Sequence, residues 1–68
     1  MKKMEAKKLY VKMNKDFILN KNTIECEVHY DMGVFMDTLC KNGDLTIEQY
    51  ESMTYPSLRA MRKYAKEL

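Results

Sequence analysis

Two glycines and one proline are all that interrupt this chain, so its backbone has few places to turn. The turn-forming clusters reduce to Asn20-Lys21-Asn22, Asn42-Gly43-Asp44 and Thr54-Tyr55-Pro56. They cut 68 residues into four segments, with no repeat and no Pro/Gly/Ser-rich linker between them. That length holds one domain, residues 1–68, near the lower limit for a chain that folds alone. Marginal stability is the default for such a chain, and association with itself or a partner would offset it.

Periodicity then assigns the segments. In the first, Ala6, Leu9, Tyr10, Met13 and Phe17 share a face at helical spacing, which predicts a helix from Met4 to Leu19. Leu9, Val11, Met13, Phe17 and Leu19 also alternate, so a strand competes, and Val11 and Ile18 fit neither pattern cleanly. The second segment is similarly double. Ile24, Cys26, Val28 and Tyr30 alternate with Glu25, Glu27 and His29 as in a half-buried strand. At helical spacing, Ile24, Val28, Met32, Phe35, Met36 and Leu39 instead form one stripe centred on Phe35 and Leu39. That phase persists through Leu39 and favours one helix over Thr23–Lys41. Asn22 and Glu25 would form its capping box and Gly43 its C-terminal cap, while Gly33 costs helix stability in the middle. Thr46-Ile47-Glu48-Gln49 opens a short helix to Met53, and Pro56 starts a final helix to Leu68. Leu58, Met61, Ala65 and Leu68 form the apolar side of that last helix. The expected fold is therefore all-α, a small bundle of three to four helices. The alternative is α+β, with an N-terminal β-hairpin followed by helices.

Charge is segregated along the chain. Residues 1–21 carry seven lysines against Glu5 and Asp16, a balance of +5. Residues 22–54 carry seven carboxylates against Lys41, a balance of −6, and residues 55–68 return to +3. The overall +2 conceals this pattern, which favours partners recognised by charge. Seven methionines with five tyrosines and no tryptophan make an adaptable interior, or an adaptable surface for a partner.

Catalytic and metal chemistry find little support. His29 is the sole histidine, and no Cys/His or Ser/His pair is indicated. Cys26 and Cys40 lie fourteen apart without a C-x-x-C, which does not match a structural zinc pattern. The two glycines form no phosphate loop. No enzyme, cofactor or metal is expected. Two cysteines are too few for a secreted disulfide scaffold, and no apolar run suits a membrane span or signal peptide. The expected location is the cytoplasm, with reduced thiols and no membrane contact.

Two binding surfaces remain. Glu25, Glu27, Asp31 and Asp37 lie on or beside the Met/Phe stripe and offer an acidic surface to another protein, as in an inhibitor or adaptor. The same carboxylates would also serve to pair with the basic helices of the fold. Arg59, Arg62, Lys63 and Lys66 gather on the final helix, where Lys7, Lys8, Lys12 and Lys15 of the first helix supplement them for nucleic-acid phosphates. The last two helices have helix-turn-helix spacing but lack the glycine that usually permits its tight turn.

Two local similarities accompany these patterns. Leu39-Cys40-Lys41-Asn42-Gly43-Asp44-Leu45-Thr46-Ile47-Glu48-Gln49-Tyr50-Glu51 resembles the short helix pair called SHOCT, with its L-x3-G-x-L-T-x-E-x-Y/F-E pattern. Ser57-Leu58-Arg59-Ala60-Met61-Arg62-Lys63-Tyr64-Ala65-Lys66-Glu67-Leu68 is similar to the first helix of SAP-like and Rho N-terminal nucleic-acid modules. The second helix of those modules does not follow here. Both stretches are short and also match generic capping and amphipathicity, so no family is assigned. A non-catalytic protein-binding role is the expected function, nucleic-acid binding is the alternative, and homo-oligomerisation is open.

Overall fold

In the computed structural model, which describes residues 1–68, Asn14 divides what the sequence reads as one N-terminal helix. Its backbone leaves helical geometry at φ −118°, ψ 27°, and its side-chain Nδ2 donates to the Tyr10 carbonyl at 2.9 Å. Asparagine competes in this way for backbone partners, which is why it interrupts helices. The result is α1 (Lys3–Met13) and α2 (Lys15–Leu19) in place of a single Met4–Leu19 helix. The break also changes the buried face. Ala6, Tyr10 and Val11 of α1 and Ile18 of α2 enter the core, whereas Met13 and Phe17 are exposed.

Helix α3 (Glu25–Lys41) spans both halves of the ambiguous second segment, and the fold contains no strand. It starts two residues later than expected because Asn20, Asn22 and Thr23 build a turn. The Asn22 N–H donates to Asn20 Oδ1 at 2.9 Å, and the Thr23 hydroxyl donates to the Phe17 carbonyl at 2.8 Å. Ile24 becomes the cap, with its N–H bonded to Glu27 Oε1 at 3.2 Å, so Asn22 and Glu25 do not form the capping box. Val28, Met32, Met36 and Leu39 are the buried residues of α3, Phe35 is half-buried and Ile24 is exposed. At the far end Gly43 sits at φ +83°, where the Asp44 N–H reaches the Leu39 carbonyl at 2.9 Å and the Gly43 N–H reaches that of Cys40 at 3.1 Å. This is a Schellman cap, as the glycine's position implied.

Helix α4 (Ile47–Glu51) opens on the expected box, with the Gln49 N–H on Thr46 Oγ1 and the Thr46 N–H on Gln49 Oε1. Helix α5 (Leu58–Glu67) starts beyond Pro56, because Ser57 is the cap and accepts from the Ala60 N–H at 3.1 Å. Pro56 therefore lies outside the helix, in a strap over residues 53–57 that has no regular secondary structure and links α4 to α5. Leu58, Met61 and Ala65 bury the inner face of α5 against α1 and α2, while α3 packs on α1 and α4. Leu68 is exposed. The N-terminal ammonium donates to the Asp44 carbonyl at 2.9 Å, so the chain start is fixed against the α3–α4 turn.

Gly33 sits inside α3 facing Tyr55 of the strap. A methyl group there would lie 3.6 Å from the Tyr55 hydroxyl, an ordinary contact. Glycine's conformational cost is therefore not offset by any need for space. Gly33→Ala is expected to stabilise the fold by about 0.5–1 kcal/mol, seen as a raised urea midpoint. A lowered midpoint would mean that the strap must shift to admit the methyl group.

Candidate functional site

The four acidic candidates all have partners within the chain. Glu25 Oε2 accepts from the Leu58 N–H at 3.3 Å, placing a carboxylate at the α5 N-terminus from thirty-three residues away. Such a charge complements the exposed amides of a helix start. Glu27 caps its own helix. Asp31 Oδ2 accepts from the Tyr10 hydroxyl at 2.7 Å, and burial followed by this acceptor pushes the Tyr10 phenol well above its usual range. Asp37 forms an ion pair with Lys41 at 2.9 Å, the one salt bridge in the chain. Glu27 and Asp31 remain exposed despite these bonds. Thus the carboxylates bond to backbone N–H groups, a phenol and Lys41, and none pairs with a lysine or arginine of α1 or α5.

The four basic candidates divide. Arg62 is half-buried and faces α2, where its Nε donates to the Ile18 carbonyl at 2.9 Å. Its Nη2 donates to the carbonyls of Asn20 at 3.0 Å and Thr23 at 3.1 Å. The guanidinium thereby bonds the Ile18 carbonyl at the end of α2 and two carbonyls of the turn that leads to α3. It is not part of a free basic strip. Arg59, Lys63 and Lys66 are exposed and make no ion pair. On α1, Lys3 and Lys7 donate to Ser52 Oγ and Thr54 Oγ1, and Lys8 and Lys12 are exposed.

His29 is also committed. Its Nε2 lies 2.8 Å from the Pro56 carbonyl and its ring centre 6.0 Å from that of Tyr55. It fastens the strap to α3, next to the bond from Glu25 to the start of α5, as Lys3 and Lys7 fasten the strap region to α1. The two thiols are free and stand fourteen residues apart along α3, about 21 Å of helix.

Between α1, α5 and this strap lies an open groove of about 280 Å³. Its α1 wall is Met4, Lys7, Lys8 and Val11, spaced to share one helix face. Ala60, Met61 and Tyr64 form the α5 wall, and Thr54, Tyr55 and Pro56 close one end. Six of the ten lining residues are hydrophobic, two are lysines and none is acidic. Lys63 follows Ala60 by three positions and adds positive charge to the α5 side. A shallower hollow of about 480 Å³ lies on the other flank of the strap, lined by His29, Tyr30, Gly33, Val34, Asp37 and Tyr50. Sequence patterning did not single out the groove's Met4, Val11, Tyr55, Ala60 or Tyr64. The one available signal was the abundance of methionine, which suits adaptable surfaces.

No protein-family model matches the chain, and no curated protein or solved structure is significantly similar to it. No helix is long and apolar enough to cross a membrane.

Proposed function

We propose that this chain is a non-catalytic binding module whose α1–α5 groove seats an acidic, amphipathic helical segment of a partner protein. The observation that carries this reading is the groove lining itself, an apolar floor flanked by Lys7 and Lys8 and free of carboxylates. An amphipathic helix presents one apolar face to such a groove, and acidic residues beside that face meet the lysines. The methionines at Met4 and Met61 suit an adaptable seat. Engagement of Glu25 at the α5 N-terminus and of Asp37 with Lys41 supports this groove over the four-carboxylate surface of α3 as the principal contact. The bonding of His29 to the strap supports a non-catalytic role.

The test is equilibrium binding of a labelled Glu/Leu-rich amphipathic peptide, compared with single- and double-stranded DNA oligonucleotides. Ala60→Glu combined with Lys8→Glu is the informative variant. Ala60 occupies the third helical position after Ser57, so glutamate there creates a capping box and supports folding while placing negative charge in the groove. Parental protein is expected to bind the peptide, and this variant to weaken it at least about tenfold with unchanged helix content. Oligonucleotide binding at physiological salt that is lost on changing Arg59, Lys63 and Lys66 to Gln would establish the nucleic-acid reading in its place.

A further inference from the structure

The outward face of α3 has the chemistry that this groove would accept. Glu27, Tyr30, Asp31 and Val34 are all exposed, and their spacing places them on one stripe, opposite the buried Val28, Met32 and Met36. Tyr30 is 78% exposed and Val34 50% exposed, at i, i+4 spacing. An aromatic and a branched side chain on an acidic helix ridge form an apolar strip that no element of the fold covers.

The charge distribution identifies what covers it. A central segment of −6 and flanking segments of +5 and +3 lie in one small chain, yet no ion pair joins the segments. The single salt bridge, Asp37–Lys41, lies within α3. Glu27 and Asp31 each accept one bond within the fold through a single oxygen but stay exposed and face no cation. Their charge is therefore open to contact between molecules, attracting over roughly 8–10 Å at moderate salt. We propose that the α3 ridge of a second copy of this chain docks in the α1–α5 groove, with Tyr30 and Val34 on its apolar floor and Glu27 and Asp31 against Lys7 and Lys8. This rests on the groove being a docking site for acidic helices, and it names one such helix. Self-pairing then competes with any other partner for the same groove.

Sedimentation velocity of the full chain across a concentration series tests this. Ridge and groove are different patches, and each pair leaves one of each free. Parental protein should therefore move from monomer towards dimers and longer chains as concentration rises, and raised salt should weaken the association. Tyr30→Ala with Val34→Ala alters only exposed positions and favours helix, so the fold is retained. That ridge variant alone should remain monomeric, as should the Lys8→Glu, Ala60→Glu groove variant. Mixing the two should restore association, because one supplies an intact groove and the other an intact ridge. A parental protein that stays monomeric at every concentration overturns the proposal. So does association that persists in either variant alone, or a mixture that fails to associate when the parent does. The Glu/Leu peptide separates the two claims. A monomeric protein that still binds the peptide refutes self-pairing and leaves the groove reading intact, whereas loss of both refutes both.

Discussion

Met36→Ala is expected to remove about 2–5 kcal/mol from the folding free energy. The side chain is fully buried, in a core cluster with Met32 of the same helix and residues of α1, α2 and α5. A chain of this size has about 3–10 kcal/mol in total, so the variant should lose a large fraction of its stability. Chemical denaturation followed by circular dichroism measures the loss. Phe35→Ala should cost less, although Phe35 stands at the centre of the stripe drawn from sequence. Phe35 is half-buried, meeting Tyr10 edge-on at 5.4 Å, and part of its ring already faces water. Equal losses at the two positions would contradict the packing described here.

Arg62→Lys is the second large effect, expected at about 1–3 kcal/mol although the charge is conserved. The guanidinium reaches the carbonyls of Ile18, Asn20 and Thr23 from two nitrogens held in a fixed plane. An ammonium on a flexible stem cannot reproduce that fork, and the carbonyls at the end of α2 would fall back on water. The site is partly exposed, which limits the loss. Lys63→Gln is a matched control, because Lys63 is exposed and without an ion pair, and its melting should be nearly unchanged. An Arg62→Lys protein as stable as the parent would mean that this clamp does not hold the α2–α3 turn.

These two residues also show where sequence was informative. Met36, Val28 and Leu39 were legible because α3 keeps one hydrophobic phase over its whole length, and the same phase decided against a strand. The caps at Gly43 and Thr46 were legible because each depends on residues within a few positions. Asn14 was not read as a break, since its effect depends on a side chain returning to the Tyr10 carbonyl instead of facing solvent. With that break undetected, Met13 and Phe17 took the places in the core that Val11 and Ile18 occupy. Arg62 looked like part of a basic face because its three acceptors lie about forty residues away and are invisible to local patterning. The groove was hidden for the same reason. It arises where α1 meets α5 and a strap crosses their end, and no local spacing encodes that meeting. The charge segregation itself was fully visible. What sequence did not show is that Glu25, Glu27 and Asp31 bond to backbone and hydroxyl donors and Asp37 to Lys41, while the lysines of α1 and α5 form no ion pair.

The most direct test of the groove as the binding face is amide chemical-shift mapping of the isotope-labelled chain titrated with the Glu/Leu peptide. Shifts are expected to concentrate in Met4–Val11 and Thr54–Tyr64, the two stretches that line the groove. Shifts concentrated instead on Glu25–Asp37, with those two stretches unmoved, would contradict the groove reading and return the binding surface to the acidic face of α3.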